Sequence, residues 1–269
     1  MKLTHARVLL TGAAGGIGAA SAHALVEAGA SVLLTGRDPA KLDALARSLK
    51  AQAPAARVEW LAEDLLTASG IADLALLAGR WECNVVVHNA GVGSFGRFEN
   101  TSGDILQQVL HTNLLAPMLL TRALLPHLRA QLSARVVCVG SVLGAIGLPG
   151  YAVYAASKFG LRGFAEALRR ELGDGPVGVQ YLGPRSTQTA FNSPGAEAFN
   201  RATGTASDPP ELVAAALVDL LRSGQAERFL GVPEKFAVRV NGLAPRLMDA
   251  AFAKHRDHLF HAAALPAAH

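Results

Sequence analysis

Tyr154 and Lys158 are the residues whose types and spacing most directly suggest chemistry. They stand four positions apart in a segment of helical periodicity, so both side chains are expected on one face of a helix. An ordinary tyrosine, with a pKa near ~10, holds its proton too tightly for efficient exchange at neutral pH. A neighbouring ammonium group stabilises the phenolate and lowers that pKa, so the pair is a candidate general acid and base.

A serine is expected close to this pair. Ser141 directly follows the apolar run 135–140, which is a predicted strand, and it precedes Tyr154 by thirteen positions. Ligands of parallel sheets bind at the carboxyl ends of the strands. Tyr151 also lies near Tyr154, but only Tyr154 has a lysine four residues later, so Tyr151 is interpreted as a wall of the substrate pocket.

A glycine-rich turn follows the first predicted strand. The run 11–18 reads Thr-Gly-Ala-Ala-Gly-Gly-Ile-Gly, and a helical pattern begins at once after it. Glycines at positions 12, 16 and 18 allow a tight turn and a close approach of the backbone to a pyrophosphate. The N-terminus of the helix then offers unpaired N–H groups and the positive end of its dipole. The turn therefore predicts a dinucleotide site.

The end of the second predicted strand bears on which dinucleotide binds. NAD-specific sites carry an acidic residue near this position, whereas this chain has Gly36 followed by Arg37. A guanidinium can hold a 2′-phosphate, so NADP(H) is favoured over NAD(H). Asp38 remains a rival: it either accepts hydrogen bonds from the ribose hydroxyls or caps the next helix, which begins at Pro39.

The elements that must position these residues alternate between strands and helices. This alternation predicts an α/β doubly wound Rossmann fold, with a central seven-stranded parallel sheet and helices on both faces. The predicted strands are Ala6–Thr11, Ser31–Thr35, Arg57–Ala62, Asn84–His88, Arg135–Gly140, Val177–Leu182 and Arg228–Gly231. The predicted helices are Gly16–Ala28, Pro39–Ala51, Thr67–Trp81, Thr101–Gln131, Tyr154–Leu172 and Asp208–Ser223.

Composition excludes several other classes of protein. The 269 residues carry 25 basic and 21 acidic side chains, a net charge of +4, and no basic run with interleaved aromatic residues, so nucleic acid is not an expected partner. Two cysteines do not indicate a disulfide framework. No signal peptide and no transmembrane span are predicted, and a cytoplasmic location is expected. His255, His258 and His261 recur near the C-terminus without a metal signature, so no metal is expected.

Taken together, the motifs resemble those of the short-chain dehydrogenase/reductase family over about residues 6–231. The resemblance rests on the order and spacing of Thr11–Gly18, Asn89-Ala90-Gly91, Asn113, Ser141 and Tyr154 with Lys158. It implies that Tyr154 protonates the carbonyl oxygen and that Lys158 binds the nicotinamide ribose and lowers the pKa of Tyr154. It further implies that Ser141 donates to the same oxygen and that Asn113 holds a water that links Lys158 to solvent.

The resemblance also implies a set of residues that contact the cofactor. Asp64 would contact the adenine amino group with Leu65 behind it, and Thr189 would reach the carboxamide. The full expected set is Gly12, Gly15, Gly16, Ile17, Gly18, Arg37, Asp64, Leu65, Asn89, Ala90, Gly91, Tyr154, Lys158, Pro184, Thr187 and Thr189. Two positions depart from the family pattern: His88 stands where asparagine is frequent, and Gly183-Pro184-Arg185 replaces Pro-Gly after the sixth strand.

Two further segments have weaker patterns. The stretch 184–210 is rich in Gly, Pro, Ser, Thr and Asn and is interpreted as a long loop over the site. Residues 232–269 are interpreted as a C-terminal helical extension of a catalytic domain that spans 1–231. Its mixture of apolar and basic residues fits a peripheral contact with a membrane or a partner, and equally a packed cap over the substrate pocket or a subunit interface; Pro245 argues against one continuous helix.

The sequence therefore predicts an NADP(H)-dependent oxidoreductase, in particular a carbonyl reductase for an apolar or acyl-chain ketone, aldehyde or secondary alcohol. The alternative is a protein of the same scaffold that senses NADP(H) without turnover, although such a protein would not need the serine, tyrosine and lysine. A homo-oligomer, dimer or tetramer, is also expected through the two long helices. Their apolar residues include Leu106, Val109, Leu161, Phe164 and Leu168.

Overall fold

The seven strands form one parallel sheet, as the sequence predicts. A computed structural model describes residues 1–262, with side chains through 259; the side chain of His261 and the last seven residues of the predicted extension lie outside the described part. The strand order is β3-β2-β1-β4-β5-β6-β7. The strands are β1 Arg7–Thr11, β2 Ser31–Gly36, β3 Val58–Ala62, β4 Val85–His88, β5 Ala134–Val139, β6 Val177–Gly183 and β7 Glu227–Phe229.

Helices cover both faces of the sheet because its central strands are apolar on both sides. In β1, Val8 and Leu10 pack into one core and Leu9 packs into the other. Three helices, α1, α2 and α8, cover the first face, and α3, α5 and α6 cover the second. Their bounds are α1 Gly16–Glu27, α2 Pro39–Gln52, α3 Ala68–Arg80, α4 Gly103–Leu110, α5 Ala116–Arg129, α6 Ala152–Leu172, α7 Pro194–Thr203 and α8 Pro210–Ser223.

The predicted single helix over 101–131 is wrong in detail. The chain forms α4 and α5, and a π-helical turn at His111–Leu115 joins them. Such turns insert one residue into the helical ladder and are frequent at functional sites. Asn113 lies in this turn and is fully buried, so the irregular segment serves to aim a site residue.

The predicted loop over 184–210 contains a helix that the sequence analysis missed. Ser193 caps α7 by accepting from the Ala196 N–H at 3.2 Å, and Pro194 occupies the first helical position. The base of the segment is fixed by Arg185, whose Nη2 lies 2.6 Å from Asp208 Oδ1, an almost fully buried carboxylate. The segment is therefore an anchored, partly helical flap.

The C-terminal segment is helical and interrupted, as Pro245 predicts. It forms α9 Val232–Leu243, α10 Arg246–Ala251 and α11 Ala253–Ala262. Val238 packs into the core, whereas Phe236 and Leu243 are 70% and 88% exposed. No helix within residues 1–262 combines the length and the apolarity that a membrane crossing requires.

The apolar residues expected to join subunits divide into two groups. Val109, Leu161 and Leu168 are buried in the core of the chain itself, so they cannot contact a second copy. The same helices and the π turn expose other large apolar residues, namely Ile105, Leu110, Leu115, Met118 and Phe159. The helices expected to form a subunit interface thus expose apolar residues, but three of the five residues named for that interface face the core of the chain.

Candidate active site

The glycine-rich turn is held by side chains from two strand ends. Thr11, the last residue of β1, accepts hydrogen bonds at its Oγ1 from the N–H groups of Asn89 and Ala90, both at 3.0 Å. The side-chain amide of Asn89 donates from Nδ2 to the carbonyl oxygens of Thr11 and Gly12, at 3.0 and 3.1 Å. The side chain of Asn89 therefore shapes the turn, and Thr11 is a structural participant that the set of expected site residues omits.

The glycines of the turn are required by close backbone approaches. Gly12 has a φ of +63°, and a Cβ there would come within 2.7 Å of Ala90 Cα. At Gly18 a Cβ would overlap the carbonyl oxygen of Gly12, and at Gly16 it would overlap the side chain of Thr189. Thr189 of the flap thus lies against the turn, and its contact with a carboxamide stays a prediction.

The start of α1 fits a pyrophosphate. Gly15 is the N-cap, and no side chain among the described residues caps the helix there, so the N–H groups of the first turn, at Gly16, Ile17 and Gly18, remain available for a ligand. The residues around the turn bring little bulk to that point, because the turn itself is glycine and alanine. The donor set and the backbone surface fit the diphosphate of a dinucleotide.

Arg37 and Asp38 take different roles at the end of β2. Asp38 is the N-cap of α2, and its Oδ1 accepts from the N–H groups of Ala40 and Lys41 at 3.0 and 3.1 Å. Those bonds, led by the one from Lys41, lower the pKa of Asp38. Arg37 is exposed and forms no ion pair within the part of the chain that the structure describes. The capping interpretation of Asp38 is confirmed, and the side chain of Arg37 remains exposed.

Asp64 and Leu65 follow β3 at the same edge of the sheet. Asp64 Oδ1 accepts from the Leu66 N–H at 3.0 Å, which forms a local turn ahead of α3. Leu65 is partly buried against the core beside α3. Oδ1 of Asp64 thus binds the backbone. The expected contact with an adenine amino group would have to use Oδ2.

Lys158 is buried beneath the end of β5. Its Nζ donates to the Val139 carbonyl oxygen at 3.1 Å and lies 5.7 Å from the centre of the Tyr154 ring. A Cβ at Gly91 would stand 3.6 Å from the same Nζ, so the Asn89–Gly91 segment lies beside the ammonium group. Burial lowers the pKa of Lys158 to about 8, because a low-dielectric setting disfavours the charged form.

Asn113 connects the π turn to this segment and to α6. Its Oδ1 accepts from the Val92 N–H at 2.8 Å, and its Nδ2 donates to the Val92 carbonyl at 2.9 Å and to Ser157 Oγ at 3.1 Å. Ser157 in turn donates to the Tyr154 carbonyl oxygen at 2.7 Å. The side chain of Asn113 therefore fixes the backbone beside both Lys158 and Tyr154, and Ser157 is a participant that sequence reasoning missed.

Tyr154 and Ser141 are close enough to interact. The expected direction of the shift in the pKa of Tyr154, however, is wrong. Burial is the largest effect and raises the pKa of Tyr154, while hydrogen bonding with Ser141 opposes that rise. The sequence-based expectation considered the nearby ammonium group and left out desolvation, which disfavours a buried phenolate. Tyr154 consequently keeps its proton at neutral pH in this structure.

Aromatic rings surround the Tyr154 phenol. Phe191 of the flap stands 6.0 Å from the Tyr154 ring centre, and Tyr151 stands 6.4 Å from it. Phe95 packs against both Tyr151 and Phe199, each at 5.0 Å between ring centres. The space in front of the phenol is therefore lined by apolar surface, consistent with the expected role of Tyr151 as a wall.

The segment after β6 keeps a fixed course although its sequence departs from the family pattern. The Pro184 carbonyl accepts from the Val142 N–H at 2.8 Å, and Thr187 Oγ1 donates to the Arg185 carbonyl at 3.1 Å. Thr187 is buried, so its hydroxyl supports the flap locally. Arg185 forms the ion pair with Asp208 and a second one with Glu234 at 3.3 Å.

His88, the other departure, has a structural role. It is buried at the carboxyl end of the central strand β4, and its Nε2 lies 2.7 Å from Thr121 Oγ1. Burial lowers the pKa of His88 to about 4, so the ring is neutral and fixes α5 against β4. This agrees with the sequence-based hypothesis of a purely structural residue.

A comparison with known proteins identifies the family. The family model described as short chain dehydrogenase matches residues 6–198. The chain therefore belongs to the short-chain dehydrogenase family. Dehydrogenase/reductase SDR family member 7B of Bos taurus is 33% identical over 186 residues, which cover 67% of this chain and 57% of that protein. The chain thus spans less than two thirds of that relative's length.

Solved structures show the same fold with bound nicotinamide cofactors. A short-chain dehydrogenase from Sphingobium yanoikuyae in complex with NADPH has a TM-score of 0.77 and 25% identity, and the match covers 91% of this chain and 95% of that one. An enzyme of the family from Burkholderia phymatum in complex with NAD has a TM-score of 0.82, covering 92% and 96%. At 21% identity the second likeness shows the fold alone. The structural relatives of this chain therefore include both an NADPH complex and an NAD complex.

Proposed function

We propose that this protein is an NADP(H)-dependent carbonyl reductase that acts on an apolar or acyl-chain substrate. The observation that carries the proposal is the convergence of Ser141, Tyr154 and Lys158 at the carboxyl ends of β5 and β4, beside the glycine-rich turn. Ser141 follows β5 whereas Tyr154 and Lys158 lie on α6, and the three side chains meet where ligands of parallel sheets bind. A packing role alone would not require a buried lysine beneath a partly exposed tyrosine.

The proposed proton chemistry belongs to this chain's own residues. A bound nicotinamide supplies or accepts the hydride. Tyr154, protonated at neutral pH, donates its proton to the carbonyl oxygen in reduction and removes it in oxidation. Ser141 donates a hydrogen bond to the same oxygen and stabilises its growing negative charge. Lys158 holds the nicotinamide ribose and stabilises the phenolate that remains after proton transfer.

The preference for NADP(H) rests on the corner after β2. Arg37 is exposed there without an ion-pair partner among the described residues, while Asp38 is committed to the start of α2. A free guanidinium suits the dianionic 2′-phosphate and can bind it through two parallel hydrogen bonds. The acidic side chain that could favour NAD(H), that of Asp38, instead accepts hydrogen bonds from the first turn of α2.

The proposed substrate class follows from the aromatic lining. Phe191, Tyr151 and Phe95 present ring surfaces around Tyr154, so the reacting carbonyl is expected on an apolar or acyl-chain molecule. The flap that carries Phe191 also carries Thr187 and Thr189, which makes it part of both the proposed cofactor site and the proposed substrate site.

The test is turnover with a defined panel. Purified protein with NADPH is mixed with cyclic ketones, 3-oxoacyl thioesters and small aldehydes, and the loss of nicotinamide absorbance is followed. Turnover of an apolar ketone or thioester, and its absence in Tyr154→Phe, supports the proposal. Tight NADPH binding by calorimetry without turnover of any panel member would instead favour the cofactor-sensing alternative.

We also propose that residues 1–231 form the catalytic domain and that 232–269 extend it. Support comes from Asn241 of α9, whose Nδ2 donates to the Ala145 carbonyl at 2.8 Å, just beyond Ser141. Leu259 of α11 packs with Tyr151 and Phe199. Removal of 232–269 should therefore impair substrate binding and stability together, which KM and thermal unfolding would measure.

We propose a homo-oligomer that joins through α4, α5 and α6. The support is the exposure of large apolar residues on these helices and the π turn, Leu115, Met118 and Phe159 among them. Phe159→Glu should shift the mass measured by light scattering toward the monomer. A wild-type protein that is monomeric at micromolar concentration would contradict this proposal.

A further inference from the structure

One buried phenol binds both backbone polar groups of Ser141. Tyr181, in β6, donates from its OH to the Ser141 carbonyl oxygen at 2.8 Å and accepts at the same oxygen from the Ser141 N–H at 3.0 Å. Tyr181 is 2% exposed, so water does not compete for these bonds. A single side chain thus fixes the peptide groups on both sides of the proposed catalytic serine.

Two glycines make room for this ring. A Cβ at Gly140 or at Gly144 would overlap the Tyr181 phenol, so no larger residue fits at either position while the ring is there. Phe229 of β7 packs on the other side, with 5.8 Å between ring centres. The ring is therefore confined by its surroundings, and the glycines on either side of Ser141 are matched to the tyrosine forty residues later.

The hydrogen-bonding capacity of the phenol is fully used. Burial raises the pKa of Tyr181, so its OH remains neutral and supplies one donated and one accepted bond. The side chain of Ser141 is constrained as well, because its Oγ accepts from the Leu143 N–H at 3.0 Å. That bond leaves the hydroxyl proton of Ser141 free to point to Tyr154 or to a substrate oxygen.

We propose that Tyr181 is a positioning residue: through its two bonds to the Ser141 backbone it holds the serine hydroxyl in line with Tyr154. The inference rests on the proposed catalytic role of Ser141. Tyr181 is enclosed in the core behind Ser141, so we expect it to act on turnover only through the serine. Small displacements of a catalytic group reduce rates steeply, by up to about 100-fold for 1 Å.

The first test is Tyr181→Phe, which keeps the ring and removes the hydroxyl. We expect kcat to fall by about 10-fold, with the KM for NADPH unchanged within about twofold, because the glycine-rich turn is not involved. The matched control is Gln180→Leu on the opposite side of the same strand. Gln180 donates to the carbonyls of Leu220 and Gln225 at 2.8 and 2.7 Å, so its loss also removes two buried bonds, yet it should leave kcat unchanged.

A double-mutant cycle separates positioning from general stability. In a Ser141→Ala background there is no hydroxyl left to position, so adding Tyr181→Phe should change kcat by less than about twofold. If the two substitutions instead multiply, Tyr181 acts elsewhere and the proposal is overturned. The cycle also separates two kinds of failure: if Ser141→Ala itself leaves kcat unchanged, the proposed role of the serine is wrong, whereas a slow Ser141→Ala beside a fast Tyr181→Phe contradicts the positioning role alone.

A second variant covers the case in which Tyr181→Phe unfolds at the assay temperature. Gly140→Ala/Tyr181→Leu fills with a methyl group part of the space that the ring leaves. It should fold by circular dichroism and turn over about as slowly as expected for Tyr181→Phe. Wild-type turnover in this folded variant would overturn the proposal, since it lacks the phenol entirely.

Discussion

Two neighbouring parts of the sheet's carboxyl edge, after β1 and after β5, are built in different ways. The cofactor turn after β1 takes its shape from the backbone of eight successive residues, 11–18, and from contacts to the next strand end. The corner after β5 has bonds from side chains of distant elements: Tyr181 bonds to the Ser141 backbone, Asn113 to Ser157 beside Tyr154, and Lys158 to the Val139 carbonyl. The turn is thus specified mostly by eight successive residues with Asn89 and Ala90 as tertiary contacts, whereas the corner combines side chains from β6, the π turn and α6.

This difference predicts different consequences for the two regions. A change in the turn or beside it should alter how tightly the dinucleotide binds. A change in the corner should alter turnover at nearly constant cofactor affinity. A substitution in the turn that changes turnover alone, or a substitution in the corner that changes cofactor affinity alone, would contradict this comparison.

The largest expected effect is that of Tyr154→Phe on turnover. The substitution removes the proton donor and keeps the ring that packs between Tyr151 and Phe191. We expect kcat to fall by about 10²–10⁴-fold, the typical contribution of general acid catalysis. The dissociation constant of NADPH, measured by fluorescence titration, should change by less than about threefold. The substitution removes only a weak contact with the cofactor, whereas a tenfold change in affinity would require about 1.4 kcal/mol.

The matched control is Tyr151→Phe, which removes another buried hydroxyl from the same aromatic group. Its OH bonds only weakly to Asn200 Oδ1, at 3.4 Å, so kcat should stay close to that of the wild type while the KM for substrate shifts. If Tyr154→Phe keeps more than half of the wild-type rate, the assignment of the proton donor is wrong.

The fold was predictable because each element carries its own signal. The strands are apolar runs, and the turn 11–18 and the cap at Asp38 are local. All seven strands were placed in their correct order along the chain, with boundary errors of up to two residues. The helix α7 was missed because the Gly, Pro, Ser, Thr and Asn content of 184–210 was given more weight than the cap at Ser193, the proline after it and the amphipathic pattern of the ten residues that follow.

The site was predictable only as far as its motifs reach. Asn113 was placed on a regular helix, because a π turn leaves no local signature in the sequence. Tyr181 and Ser157 were missed, since their roles exist only once β6, the π turn and α6 have packed. The pKa of Tyr154 was expected to fall, because the sequence shows the lysine but not the burial.

The next effect concerns Arg37→Ala and affects affinity. Loss of the guanidinium should weaken NADPH by about 10–100-fold, which is the worth of a charge-assisted hydrogen bond of about 1.5–3 kcal/mol. NADH affinity should hardly change, and the loss for NADPH should shrink at high salt because the site is exposed. Calorimetric titrations of both cofactors at two salt concentrations measure this. A wild-type protein that binds NADH as tightly as NADPH would refute the interpretation of this corner.

A third effect is the pH dependence of carbonyl reduction. Burial lowers the pKa of Lys158 from 10.5 to about 8, so its charge is present below pH 8 and lost above it, while Tyr154 stays protonated. The kcat/KM for NADPH, which reports the free enzyme, should be level near pH 7 and fall about tenfold per pH unit above 8.

Lys158→Arg is the control for that profile. A guanidinium keeps its charge throughout this range, so the variant, although slower, should lose the decline above pH 8. If the decline persists at the same pH in Lys158→Arg, another group causes it, and the lysine is not the source of the pH dependence.

The smallest expected effect tests the division between Arg37 and Asp38. Asp38→Ala removes the cap of α2, so the unfolding temperature should drop by roughly 2 °C, the shift expected for loss of one cap in a chain of this size. Asp38→Asn, which caps as well without the charge, should melt close to the wild type. Both variants should keep the wild-type ratio of NADPH to NADH affinity within about twofold, because the carboxylate is bound to backbone N–H groups and not to a ribose. A selective loss of NADH affinity in both variants would show instead that Asp38 turns toward the ribose, and the corner after β2 would then select its cofactor by an acid and not by Arg37.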